Sequence, residues 1–258
     1  MSESESNKQT AGKGAYQLRR KARDERWRKQ AQRRKLIKLL LIFVGLPFGV
    51  WYIWTQILYP TYTARYELSI EVETPDGLKT GSSIIEANYG WEPTLFGLIS
   101  GVKNSVTGEA VFVDLGDRKN LVVTFRARTR EGSALKLPSK IFGFPPHHKT
   151  KTKTGIRAAM KAGTREVPIA ELPFTVTFPD VRDPMSVKEL DPSNIGEYFG
   201  DGFSIKRAEI RMTRDSARKQ IVSKLPWLEA IGSKPLNGRL NRAGNPYGLY
   251  GYEFRRSD

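Results

Sequence analysis

Leu39–Tyr59 reads LLLIFVGLPFGVWYIWTQILY and carries no charged residue. An α-helix rises about 1.5 Å per residue, so a run of this length reaches across a hydrocarbon core about 30 Å thick. In water, Leu, Ile, Phe, Val and Trp would face solvent on every side of the helix, and a chain of 258 residues has little core to spare for covering them all. The segment 39–59 is therefore expected to be a transmembrane helix.

Its flanks set the orientation. Met1–Lys35 carries 12 Lys and Arg against 4 Asp and Glu, with Arg33, Arg34 and Lys35 close against the apolar run, whereas the first charge beyond it is Arg65. Basic residues beside a span are retained on the cytoplasmic side. The N-terminus is thus expected inside and 60–258 outside. Lys38 can draw its ammonium back to the headgroups, and Trp51, Trp54 and Tyr59 supply the amphipathic rings favoured at the opposite interface. The run begins far from Met1, exceeds the apolar region of a signal peptide and has no Ala-x-Ala behind it, so a retained signal-anchor is expected. Gly45 and Gly49, one turn apart, clear a stripe where a second helix can approach, which makes a homodimer through the span a candidate; Pro47 between them kinks the helix.

The net charge is +16, and residues 1–38 hold +9 of it. That concentration serves topology and attraction to an anionic inner leaflet. Only Tyr16 and Trp27 interrupt the basic run, too few aromatic platforms for a nucleic-acid module, and a nucleic-acid partner is not expected. The chain has no cysteine, which excludes disulfides, thiol catalysis and thiolate metal sites. It has no Asn-x-Ser/Thr either. Together these fit a bacterial inner-membrane protein facing the periplasm.

Residues 1–14 have the small, polar composition of a disordered end, and 15–38 read as a basic juxtamembrane helix. After Pro60 the period changes to two. Tyr66, Leu68, Ile70 and Val72 alternate with Glu67, Ser69, Glu71 and Glu73, the pattern of a half-buried strand, and Thr74-Pro75-Asp76-Gly77 turns it into a partner at Leu78–Tyr89. Gly90–Thr107 is apolar without a clear period and reads as a loop or short helix packed on the sheet or on the membrane surface. A second hairpin is expected from Ala110–Leu115 and Leu121–Thr129, with Arg126, Arg128 and Arg130 on one face, available to an anionic partner. Residues 131–154 read as a flexible loop ending in the basic run Lys149, Lys151, Lys153, a candidate partner contact. A short helix at Ile156–Lys161, a strand at Phe174–Phe178, a helix capped by Asp191 and stopped by Gly200, a bulge near Lys206 and Arg207, and a helix from Asp215 or Ser216 to Leu225 follow. The expected class is α+β: one transmembrane helix, then one extracytoplasmic domain built on a mainly antiparallel sheet with a few short helices.

Two Ser-x-x-Lys sequences (Ser100–Lys103, Ser133–Lys136) and two Lys-Thr-Gly sequences (Lys79–Gly81, Lys153–Gly155) match fragments of penicillin-binding acyltransferases, but their order and spacing refuse that arrangement. His147 and His148 are the only histidines, and no metal site or cofactor is expected. Asp114, Asp117, Asp180 and Asp183 are carboxylates available to a glycan or lipid hydrolase. With no catalytic motif otherwise present, the expected role is a binding or structural module for another envelope protein, with such a hydrolase or transferase as the alternative. Alkaline phosphatase joined after Asp258 is expected to be active, while activity only from an N-terminal fusion would contradict the orientation.

Overall fold

The computed structural model describes residues 32–39, 41–93, 100–128, 132–146, 148–216, 220–232, 234–236 and 248–256. The expectations for 1–31, Arg130 and His147 lie outside these residues. The chain divides into two compact units, Met1–Leu58 and Tyr59–Asp258.

In the first unit one helix among the described residues, Gln32–Trp54, is long and apolar enough to cross a membrane. Leu41–Gly45 forms a wide π turn, followed by α1 (Leu46–Leu58). The wide turn lies next to Pro47, whose ring would crowd the carbonyl four residues earlier in a regular helix, and loosening that turn relieves the clash. Arg33, Arg34, Lys35 and Lys38 lie exposed along its N-terminal turns and Trp51 and Trp54 lie exposed near its C-terminal end.

The second unit is mixed α+β with antiparallel sheets and few helices. Its centre is β1 (Tyr62–Thr74), whose alternate residues Ala64, Tyr66, Leu68, Ile70 and Val72 are fully buried. The intervening charges face outward and pair across strands. The Thr74–Gly77 turn leads into β2 (Gly77–Pro93), in register from Thr74 opposite Gly77 to Tyr62 opposite Tyr89. On the other side lies β9 (Ser204–Met212), where Arg211 meets Glu67 at 2.6 Å and Arg207 meets Glu71 at 3.4 Å. Lys206 is the extra residue between the pairs Glu71 with Arg207 and Val72 with Ile205, so the expected bulge is present. The glutamates of β1 thus form part of a charged sheet face. β3 (Ser100–Glu109), β6 (Thr164–Glu166) and β10 (Arg255–Arg256) complete a six-stranded sheet ordered β10-β3-β2-β1-β9-β6.

A second, four-stranded sheet is ordered β4-β5-β7-β8, from β4 (Val111–Gly116), β5 (Lys119–Val123), β7 (Thr175–Thr177) and β8 (Lys188–Leu190). It is covered on both faces. Val111, Val113, Leu115, Leu121 and Val123 join the core of the large sheet, while Val122 and Val176 join a separate core with Phe178, Ile221, Leu225, Trp227 and Phe254. Buried on both sides, Val111–Val113 and Leu121–Val123 read as short apolar runs. The C-terminal layer includes α5 (Ile221–Lys224) and α6 (Leu228–Ile231). Buried Glu109, at the end of β3, accepts the backbone N–H groups of Gln220 and Ile221, the latter at 2.8 Å, and so caps α5 from a distant strand. The helix expected from Asp215 or Ser216 accordingly begins at Ile221.

The helix expected from a cap at Asp191 is the shorter α4 (Gly196–Phe199), and Asp191 instead accepts the Ser193 N–H at 2.9 Å. Three further segments differ from the sequence expectation. Gly90–Pro93 and Ser100–Thr107 are strand: β2 and β3 stay paired out to Pro93 opposite Ser100. Stretch 131–154, read as a loop, contains α2 (Leu137–Phe142) and the first half of α3 (Lys149–Ala159). Thr152 is buried and donates to the Pro145 carbonyl at 2.6 Å, and a Cβ on Gly155 would stand 2.2 Å from that of Phe144. Packing against this preceding turn holds a helix whose own composition is weak. Third, β5 ends at Val123, so Arg126 and Arg128 lie beyond the strand. Thr124 turns the chain there, donating through its hydroxyl to the Phe174 carbonyl at 2.8 Å.

The buried phenols of Tyr66 and Tyr89 donate to the carbonyls of Ala134 and Leu135 at 2.6 and 2.7 Å, tying the segment before α2 to the sheet; burial pushes both phenols up, so they remain donors. The sheets approach closely at Gly81, where a Cβ would stand 2.3 Å from the Phe112 carbonyl oxygen. Gly81→Ala is expected to cost about 1–3 kcal/mol through this overlap, read as a lowered thermal midpoint of the full chain in detergent; an unchanged midpoint would contradict the packing.

Candidate functional site

A groove of about 820 Å³ lies beside the β4–β5 hairpin. Asp114, Asp117, Arg118 and Lys119 come from the hairpin, Asp180 and Arg182 from the turn after β7, and Lys224 from α5. Three of the four aspartates singled out in the sequence therefore meet in one place, and four cations meet them there. Asp183 is not in the lining; it caps the following turn by accepting the Met185 N–H at 2.8 Å.

The hairpin tip is unusual. Asp117 and Arg118 have φ of 47° and 62°, the two positive values of a type I′ turn that Gly or Asn normally supplies. Asp114 accepts the Gly116 N–H at 3.1 Å, holding the approach to the turn. Asn120, almost fully buried, braces the far wall: its amide donates to the Phe178 carbonyl at 2.7 Å and accepts the Phe178 N–H at 2.9 Å, extending the β5–β7 pairing by one side chain. The Lys119 ammonium lies 4.7 Å from the ring centre of Phe203, and that of Lys224 lies 6.0 Å from that of Phe112. Asp180 accepts the Arg182 N–H at 2.9 Å. The groove is a polar surface with both signs of charge on a fixed backbone.

Such a groove can bind ions and hydrogen-bonding groups. As acid–base machinery it is weaker, because a general acid of the glycosidase kind sits shielded from water and Asp114, Asp117 and Asp180 are all exposed. Among the described residues no cluster of His, Asp and Glu could hold a metal ion. The acyltransferase fragments are also placed apart by role: Ser100–Lys103 lies in a strand, Lys153–Gly155 in a helix, and Gly81 and Gly155 are required by the close packing described above.

The arginines expected on one strand face are tied down separately. Arg126 Nε lies 3.9 Å from Glu253 and its guanidinium 5.5 Å from the Phe174 ring, and Arg128 meets Asp191 at 2.8 Å. Lys151 and Lys153 are exposed on α3, which starts at Lys149. The hairpin residues Arg118 and Lys119 were not legible as site residues, since the positive φ of Arg118 falls where Gly or Asn would normally signal it. No family model matches the chain, and neither a curated protein nor a solved structure matches it.

Burial pushes the Glu253 carboxyl up, against the Tyr250 N–H that it accepts and the nearby Arg126 and Arg256. Its folded-state value is therefore above its unfolded one, so its favourable contribution is full below the unfolded value and is lost as pH rises through the folded value. Wild type is expected to gain thermal stability relative to Glu253→Gln as pH is lowered from neutrality through that window. A midpoint difference constant with pH would contradict this.

Proposed function

We propose that the chain is a single-pass protein of the bacterial inner membrane, N-terminus in the cytoplasm, whose second unit lies in the periplasm and binds another envelope component, most simply a protein. The apolar helix Gln32–Trp54 and the basic residues beside it support the anchor. The observation that carries the binding role is the mixed-charge groove. Sites for small molecules are mostly apolar with a few polar groups; a groove rimmed by three aspartates and four cations matches instead an extended segment bearing charges of both signs, such as a polypeptide.

A photo-crosslinker at Arg182, on the groove rim, is expected to give a discrete adduct in cells that is absent when it is placed at exposed Glu166, and that is lost in the Arg118→Glu, Lys224→Glu double variant. Equal adducts from both positions, or an adduct indifferent to the charge reversals, would contradict the assignment. The meeting of Asp114, Asp117 and Asp180 favours one second reading, a carboxylate hydrolase acting on glycan or lipid, and Asp180→Asn abolishing turnover while preserving the adduct would select it. Gly45 and Gly49 remain the proposed contact for a homodimer: a Cβ on Gly49 would meet nothing within 4 Å, so the helix itself does not require glycine there.

A further inference from the structure

Beyond the groove, α3 carries a surface of one sign. Residues 148–165 contain six Lys and Arg and no Asp or Glu. The helix fixes which of them stand together. Lys153, Arg157 and Lys161 follow at four-residue intervals, the last in the closing turn, where its N–H reaches the Ala158 carbonyl at 3.0 Å; all three are exposed, and Lys151 is exposed on their flank. Four residues of helix rise about 6 Å, so the three charges form a row about 12 Å long.

The other side of α3 is committed to the core. Thr152 and Ala159 are buried, and Ile156 and Met160 pack against the core of the large sheet. Like charges four residues apart repel one another, and the packing beneath the helix gains nothing from them. Elsewhere in the unit Arg65 is matched by Glu86, Arg128 by Asp191, Lys140 by Glu171, Arg207 by Glu71 and Arg211 by Glu67. Among the described residues no acid stands within ion-pair distance of Lys151, Lys153, Arg157 or Lys161.

The make-up of the face says what covers it. It exposes no aromatic or large aliphatic side chain that could enter lipid. Nor does it offer the free backbone donors that cradle phosphate, because His148 Nδ1 accepts the Lys151 N–H at 3.3 Å and the Thr154 hydroxyl turns back to the Thr150 carbonyl at 3.1 Å. What remains is a straight row of charges on long stems. Acidic residues one turn apart on a helix repeat at the same spacing of about 6 Å and complement it. Glu67, Glu71 and Glu86 are already engaged by arginines, and the groove aspartates stand among cations, so a second copy of this chain is a poor complement. We infer that the exposed face of α3 docks an acidic polypeptide segment of another protein through Lys153, Arg157 and Lys161.

This face shares no residue with the groove, and the test keeps the two apart. The chain has no cysteine, so Ala158→Cys, at an exposed position of α3, gives one site for an environment-sensitive fluorophore in the full chain in detergent micelles. The probe is a synthetic peptide with Glu at every fourth position of an Ala–Gln background. A saturable emission change is expected, with none from the peptide in which Gln replaces Glu. Its affinity is expected to be about tenfold weaker in the Lys153→Gln, Arg157→Gln, Lys161→Gln variant, whose thermal midpoint is no lower than that of the parent, and unchanged in the Arg118→Glu, Lys224→Glu groove variant. No response to the acidic peptide, or an affinity indifferent to the triple substitution, would overturn the inference; loss in the groove variant instead would make the peptide a groove ligand. A lowered midpoint would make the three cations part of the fold and also overturn it. A response to polyphosphate or to phosphatidylglycerol in the micelle, without one to the peptide, would overturn it in favour of a phosphate-bearing partner.

Discussion

Apolar surface has to leave water, and the two units meet that requirement in different ways. In the second unit β1 is apolar on one side and charged on the other, and the rest of the unit is arranged to cover the first and to leave the second wet. The helix Gln32–Trp54 has no such device: none of its apolar window is buried by the protein. Phe43, Ile53 and Trp54 are 71%, 60% and 61% exposed. The proposed placement in lipid follows from that imbalance, since only a surrounding apolar medium or a partner removes the cost.

Within the sheet unit the small sheet is the keystone, because it forms part of two cores at once. Its order depends on polar side chains that reach across elements. Asn120 prolongs the pairing to Phe178, and Glu109 caps α5 while its other oxygen lies 3.8 Å from Arg255. Removing either would leave buried backbone groups without partners, which costs more than such a hydrogen bond contributes on balance. These contacts fix the wall and mouth of the groove, so binding chemistry and packing are coupled there.

Residues whose environment is set by local pattern were readable from sequence. The alternation Tyr66 to Val72, the Thr74–Gly77 turn, the bulge at Lys206 and the stop at Gly200 all appear where period and turn chemistry put them. What was not readable depends on distant partners. Arg118 adopts a left-handed φ that its side chain disfavours because the strands on either side are already paired; α3 forms over a Lys-Thr repeat because Phe144 and Pro145 pack beneath it; and Gly90–Pro93 continue as strand because β3 pairs with them. The candidate site was half legible: its aspartates stood out as loop carboxylates, whereas its cations did not.

The central claim is that one segment lies in lipid with the chain on either side of it in different compartments. Single cysteines in this cysteine-free chain test it directly, placed at Ser2, Ile42 and the exposed Met185 and challenged in spheroplasts with a membrane-impermeant maleimide. The account predicts that position 185 reacts at once, position 2 only after permeabilisation, and position 42 only after denaturation. Reaction at position 42 as fast as at 185 in the native membrane, or protection of 185 until the membrane is breached, would contradict it.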